Sequence, residues 1–233
     1  MTAAVMQPYL FPYIGYFQMI NAADVFVFYD DVNFIKGGWI NRNRMLMAGS
    51  DKLFTVPLKD ASSFKLIKEI EINTEVPAYS KMLTTIVQSY KKSPFFSEVF
   101  PIMESVFRSP SSTIGDLAIL SIEAVNEYLG ITTVLKRSSV DFADTKGLER
   151  AERLIAICKQ TGAEKYINAV GGQELYTKEY FASNGIELKF IKSESLDYKQ
   201  FDNEFVPWLS IIDVLMFNSV EEIKVFLNKY LLV

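Results

Sequence analysis

Apolar residues in this chain come in short runs, divided by polar stretches rich in proline and glycine. Ala3-Ala4-Val5-Met6 and Val25-Phe26-Val27-Phe28 are uninterrupted apolar runs of strand length. That is the pattern of strands buried on both faces of a parallel sheet. Between them lie a proline-bearing loop at 7–13 and a short apolar stretch at 14–21 with Gly15 near its start, which predicts a helix. Strands are expected at 44–47 and 53–58, joined by the turn Ala48-Gly49-Ser50-Asp51. The alternation around Ile67, Ile70 and Ile72 predicts a half-exposed strand over 66–72.

From Pro77 the period becomes helical. Tyr79, Leu83, Ile86 and Tyr90 recur at spacings of four and three, predicting a helix over 79–90. Ser93-Pro94 breaks it. A second helix is expected over 96–107, ended by Ser109-Pro110. A third runs from a Ser112-Thr113 cap to Leu129, with Gly130 as its stop signal. The block 77–130 is expected to be inserted into, or to cover, an α/β core. The second half alternates: strand at 132–135, helix at 147–161, strand at 165–168, helix at 172–183 and strand at 186–191, with closing helices at 210–218 and 221–230. Strand–helix–strand alternation at these lengths predicts parallel pairing. The expected architecture is therefore one α/β domain over 1–233. A mostly parallel sheet is flanked by helices, and the helical block is added.

Composition narrows what such a fold can do. The chain of 233 residues is 49% apolar, long enough to bury a large core. Its formal net charge of −4 argues against a general nucleic-acid binder, which carries a basic excess. A local basic pocket of Lys36, Arg42, Arg44 and Lys59 stays compatible with it. The first residues lack the pattern of a secretory signal, and no apolar run is long enough to span a membrane, so the cytoplasm is the expected location. Histidine is absent and Cys158 is the single cysteine. No intrachain disulfide can form, and Cys158 reads as part of a helix core. Ser-His-Asp and Cys-His catalysis, histidine bases and zinc sites drop out. Zinc and haem are not expected and no metal site is assigned, while Mg²⁺ held by oxygens, or ATP, stays open.

The candidate chemistry gathers after the carboxyl ends of the predicted strands, where open α/β sheets bind ligands. Gln7, Tyr9 and Tyr13 follow the first strand, and Asp30 and Asp31 follow the second. A carboxylate pair can orient or deprotonate an amine, although neighbours on a strand point to opposite faces. Lys36 precedes the Gly37-Gly38 turn. In Asn41-Arg42-Asn43-Arg44, Arg42 and Arg44 share one face and could grip a phosphate or pyrophosphate with forked hydrogen bonds. Ser138 and Ser139 end the third predicted strand. Asn168 ends the fourth, followed by Gly171 and Gly172, a turn whose amides could face an anion at a helix start. The expected catalytic residues are Asp30, Asp31 and Lys36. Gln7, Tyr9, Tyr13, Asn41, Arg42, Arg44, Ser138, Ser139, Asn168, Gly171 and Gly172 are expected to bind substrate or phosphate.

Four segments, QPYLFPYIGYF, YDDVNFIKGGWINRNR, YINAVGGQELY and LSIIDVLMFNS, occur in this order along essentially the whole chain. In them the chain resembles the WbqC-like proteins of bacterial surface-polysaccharide gene clusters. The resemblance implies the making or modification of O-antigen or capsule sugars, often deoxy-amino sugars carried on nucleotides. A fainter similarity, through Pro12, Gly15, Tyr16 and Ala23-Asp24, is to the adenylate-forming nucleotidyltransferase group that includes pantothenate synthetase. It implies a nucleotidyltransferase-like or Rossmann-like sheet. Those enzymes use a His-x-Gly-His motif that this chain lacks. Three functions are carried forward. The first is an enzyme that N-acylates a nucleotide-linked amino sugar. The second is a metal-dependent glycosyl- or nucleotidyltransferase. The third is a non-catalytic binding or assembly protein of the polysaccharide pathway. The expected partner is a small nucleotide-sugar, with no nucleic acid, no membrane span and a homodimer possible.

Overall fold

A computed structural model describes residues 1–202 and 204–233. In chain order the regular elements are β1 (Thr2–Met6), α1 (Ile14–Asn21), β2 (Val25–Phe28), β3 (Arg42–Met47), β4 (Ser50–Thr55), α2 (Pro77–Tyr90), α3 (Phe96–Phe107) and α4 (Ile114–Leu129). They continue with β5 (Val134–Arg137), α5 (Ser138–Asp141), α6 (Arg150–Thr161), β6 (Lys165–Ala169), α7 (Lys178–Ala182), β7 (Glu187–Ser193), α8 (Ile211–Phe217), α9 (Val220–Phe226) and β8 (Tyr230–Leu232).

The main sheet has the order β5-β2-β1-β6-β7-β8. The first five strands are mutually parallel and β8 alone is antiparallel. Counted along the chain, the parallel strands stand 3-2-1-4-5 in space, the doubly wound order. The chain builds outward from β1 through β2 to β5, then crosses back to β6 on the other side of β1. The β1/β6 boundary is therefore the topological switch point.

Strand alternation explains the layering. Ala4, Phe26, Phe28, Ile167 and Ile191 face one cluster, shared with α1, α2, α3, α4, α8 and α9. Ala3, Val5, Val25, Val27, Tyr166, Leu188 and Phe190 face the other, covered by α6 and α7. Both faces of the central strands are buried, so their sequences read as unbroken apolar runs. Fully buried rings such as Phe17 and Phe26 each contribute about 1.5–3 kcal/mol by leaving water.

Local signals act as expected at several ends. Thr113 caps α4 by accepting from the Asp116 amide, and Gly130 ends it at φ 69°. The β3–β4 hairpin closes through Ala48 and Gly49, at φ 49° and 75°, the two left-handed residues a tight hairpin needs.

The helix expected from Gly147 starts at Arg150 and the strand expected over 53–58 is Ser50–Thr55; three other elements differ more. The strand expected over 66–72 is a 3-10 turn at Ile67–Glu69 flanked by single bridges. Ile67 and Ile70, three apart, both point into the core, which is a turn's period and not a strand's. The helix expected from Gly172 begins only at Lys178, after a 3-10 turn at Val170–Gly172. The last helix stops at Phe226, and Tyr230–Leu232 instead adds β8 to the edge of β7. The apolar tail thus pairs its backbone with a sheet edge. Among the described residues no helix is long and apolar enough to cross a membrane.

Candidate functional site

The loop 7–13 after β1 is locked from three directions. Phe11 is fully buried at φ 39°, a conformation a bulky side chain adopts only when its surroundings impose it. Its amide donates to Ser121 Oγ on α4 (3.0 Å). Its carbonyl accepts from Asn43 Nδ2 on β3 (2.8 Å) and from Ser210 Oγ at the start of α8 (2.6 Å). Asn43 Nδ2 also reaches the Leu10 carbonyl at 3.1 Å, while its Oδ1 accepts from the Arg44 amide at 2.8 Å. Backbone bonds from Ile211 to Pro12 (2.9 Å) and from Ser210 to Arg44 (2.8 Å) complete the weld. Loop, hairpin and α8 are therefore one rigid unit above the sheet.

That unit forms one wall of a cleft of about 500 Å³ outside the carboxyl ends of β1, β6 and β7. The volume falls within the roughly 300–1,000 Å³ of small-molecule sites. Tyr9, Tyr13, Tyr16, Trp39 and Trp208 supply aromatic walls, and Ala169, Val170 and Ile191 line the sheet side. The cations of the lining are Arg44 and Lys192. Arg44 lies 5.4 Å above the Trp39 ring and pairs with exposed Asp51 at 3.3 Å, a surface pair of little strength that an anion could displace. Burial pushes the Tyr9 hydroxyl up, the Tyr13 hydroxyl up to about 12 and the Tyr16 hydroxyl far above its ordinary value. At neutral pH all three are O–H donors; the Tyr16 hydroxyl is spent on the Gln7 carbonyl at 2.9 Å. Gly15, at the start of α1, leaves room here: a methyl group in its place would stand 2.6 Å from Ser193 Oγ.

Tyr9, Tyr13 and Arg44 are thus brought together at the cleft. Arg42 shares a strand face with Arg44 and lies 6.0 Å from the same Trp39 ring, but its guanidinium donates to the Gly37 and Gly38 carbonyls and does not line the cleft. Asn41 Nδ2 donates to the Val56 carbonyl (2.9 Å) beside β4. Asn168 is buried, accepts from the Ala169 amide at 2.8 Å, and packs so tightly on Gly172 that a methyl there would stand 2.8 Å from its Nδ2. Gly171 is exposed on the same turn, Lys36 is exposed before Trp39, and Lys59 pairs with Glu75 at 3.4 Å.

Asp30, Asp31, Ser138 and Ser139 form a second cluster, at the carboxyl ends of β2 and β5. Asp30 accepts from the Ser139 amide (3.0 Å) and hydroxyl (2.7 Å). Ser138 Oγ lies between the carboxylates, 3.1 Å from Asp30 Oδ1 and 2.5 Å from Asp31 Oδ1, with one proton to share. Asp31 Oδ2 takes a 2.7 Å ion pair from Arg153, whose Nε donates to Thr145 Oγ1 at 3.0 Å. The Arg153 guanidinium also covers the Tyr29 ring at 4.8 Å. Burial alone would raise Asp31, but the hydrogen bonds from Arg153 and Ser138 and the charge of Arg153 outweigh it and hold the carboxyl below its ordinary value. Both aspartates are buried and neither lines the cleft. Among the described residues no three His, Cys, Asp or Glu side chains gather as a metal-binding group.

Sequence reasoning passed over Lys192, Ser193, Trp208 and Arg153. Lys192 and Ser193 end β7, so the strand-end rule that singled out Tyr9 and Tyr13 would have found them, whereas Gln7, singled out by the same rule, does not line the cleft. Arg153 stands among Leu154, Ile155, Ile157 and Cys158 on the buried side of α6, and a lone arginine among core positions signals a buried acid. Trp208 lies in an irregular segment that gives no periodic signal.

The WbqC-like protein family matches residues 7–225, nearly the whole chain, and the chain belongs to that family. It is also 29% identical over 231 residues, 97% of this chain and 96% of the relative, to a Mycobacterium tuberculosis (strain ATCC 25618 / H37Rv) protein named "Uncharacterized protein Rv1507c". No solved structure matches the chain.

Proposed function

We propose that this member of the WbqC-like family binds a nucleotide-linked amino sugar in the switch-point cleft and modifies it, by N-acylation of the sugar amine. The observation that carries the reading is the position and lining of the cleft. It opens where a doubly wound sheet reverses direction, and aromatic faces there converge with Arg44 and Lys192. Planar bases stack on aromatic rings, and a diphosphate pairs with the two cations. The Tyr9 and Tyr13 hydroxyls, neutral at physiological pH as phenols are, supply uncharged donors.

For acylation the amine nitrogen attacks the carbonyl carbon of an activated acyl donor. The C–N bond forms, the bond from carbonyl to leaving group breaks, and the nitrogen's proton departs with the leaving group. The amine must be neutral to attack, so an amine bound as the ammonium first releases a proton to water, a step that a largely aromatic surround favours. In this reading Asp30 and Asp31 act from outside the cleft. Their oxygens tie the end of β2 to Ser138 and Ser139 after β5 and to Arg153 of α6.

The test is a thermal-shift titration with UDP- and dTDP-amino sugars. A ligand at 100 times its Kd adds about 2.7 kcal/mol to the native state, a shift of several degrees. Arg44→Ala is expected to remove most of that shift while leaving the unliganded midpoint within about 0.5 kcal/mol of wild type, since its own ion pair is exposed. A wild-type protein that no nucleotide-sugar stabilises would refute the reading.

A further inference from the structure

Residues 194–209 lead from β7 to α8 with no helix or strand among those described. Segments of this length without regular structure in a compact fold are mostly functional. This one encloses a second chamber of about 390 Å³, walled by Tyr13, Ser195, Asp197, Tyr198, Phe205 and Trp208 among others. Tyr13 and Trp208 line the cleft as well, so chamber and cleft are neighbours across a single partition of two rings, 5.2 Å apart between centroids. Trp208 stands at φ 62° and is 54% exposed, a large ring held in water in a conformation few non-glycine residues adopt. The chamber's far wall is rigid. The Tyr198 hydroxyl donates to Asp213 Oδ1 at 2.7 Å, and that buried carboxylate also accepts from Gln200 (2.7 Å) and Tyr90 (3.0 Å).

The two spaces differ in charge. The cleft carries Arg44 and Lys192; the chamber's described lining carries no cation and has the exposed carboxylate of Asp197. We propose that they are two halves of one site, the cleft taking the nucleoside diphosphate and the chamber taking the amino-sugar ring. This rests on the nucleotide-sugar reading above and adds where the sugar lies and what selects its amine. The apolar face of the ring packs on Phe205 and on the Tyr13–Trp208 partition. Ser195 meets a hydroxyl, and Asp197 accepts a charge-assisted hydrogen bond from the amine.

The experiment is calorimetric binding of UDP, UDP-glucose and UDP-glucosamine to wild type, Asp197→Asn and Ser195→Phe. Both substitutions are at exposed loop positions and spare the core. UDP is expected to bind all three proteins alike. Wild type should prefer UDP-glucosamine to UDP-glucose by about five-fold, the upper end for an exposed ion pair. Asp197→Asn should erase that preference, and Ser195→Phe, which fills the chamber, should reduce both sugars to the affinity of UDP. UDP binding with no preference for the amine, or with a preference that survives both variants, would overturn the chamber assignment and leave the cleft reading standing. If neither UDP nor dTDP binds wild type, the cleft reading falls. The chamber is then judged in Trp39→Phe, which leaves Trp208 as the one tryptophan. Saturable change of its emission by free glucosamine, abolished by Asp197→Asn, supports the amine site, and no change refutes it.

Discussion

Replacing Arg153 with methionine will lower folding stability by about 3–5 kcal/mol, the cost of stranding a buried charge. Arg153 and Asp31 are both nearly inaccessible, at 5% and 2% of their side-chain surface, and meet at 2.7 Å. Removing the guanidinium leaves Asp31 with the shared Ser138 hydroxyl alone among side-chain donors, and empties the donor beside Thr145. Urea unfolding of the variant measures the loss, and a value below about 1 kcal/mol would show that water enters the cluster and screens it. Adding Asp31→Asn to Arg153→Met should cost much less than the sum of the single variants, because the stranded charge is gone.

The same pair sets a pH dependence. Asp31 titrates below its ordinary value in the folded protein, so in acid the unfolded chain binds the proton more readily. Its stabilising effect is full above the ordinary carboxylate value and disappears as pH falls through the lowered folded value. Wild type should therefore lose stability faster than Arg153→Met on acidification below about pH 4, and the two curves should converge. Parallel curves would contradict the assignment of the shift to Arg153.

Replacing Asn43 with leucine will cost about 2–4 kcal/mol and weaken ligand binding about ten-fold or more. Leucine is similar in volume, so the loss is one of hydrogen bonds. The Leu10 carbonyl loses its Asn43 partner, and the Phe11 carbonyl keeps only Ser210. With that restraint gone, the left-handed Phe11 can relax, and Tyr9, Pro12 and Tyr13 move away from the positions that shape the cleft. Asn41→Ala is the control two residues away on the same hairpin. It loses a half-buried bond to Val56, about 0.5–1.5 kcal/mol, without touching the loop. If Asn43→Leu lost stability yet bound nucleotide-sugars as wild type does, the weld would be a feature of folding alone.

The strands β1 and β2, the parallel alternation of the second half and the position of polar groups at strand ends were legible because each depends on neighbours in sequence. Period and run length report burial on one face or two. Thr113, Gly130 and the Ala48-Gly49 turn were legible because caps and turns are local chemistry. Where local signals compete, reading failed. Ile70 and Ile72 keep a strand's spacing while Ile67 and Ile70 keep a turn's, and packing of a 3-10 turn against α4 decided between them. The tail after Phe226 follows a helical stretch, yet the open edge of β7 made it a strand.

For the candidate site the division is sharper. The sequence by itself determined which chemistry is available: no histidine, abundant aromatics, and cations and carboxylates grouped after strand ends. It could not determine which of those groups share a space. Tyr13 meets Trp208 from 195 positions away, and Asp31 meets Arg153 from 122. Only the strand order 3-2-1-4-5 separates the polar residues that line the switch-point cleft from those buried behind it at the ends of β2 and β5. Residue type and spacing encode local propensity, whereas long-range proximity is set by how the whole apolar surface is buried, and that is a property of the assembled sheet and helices.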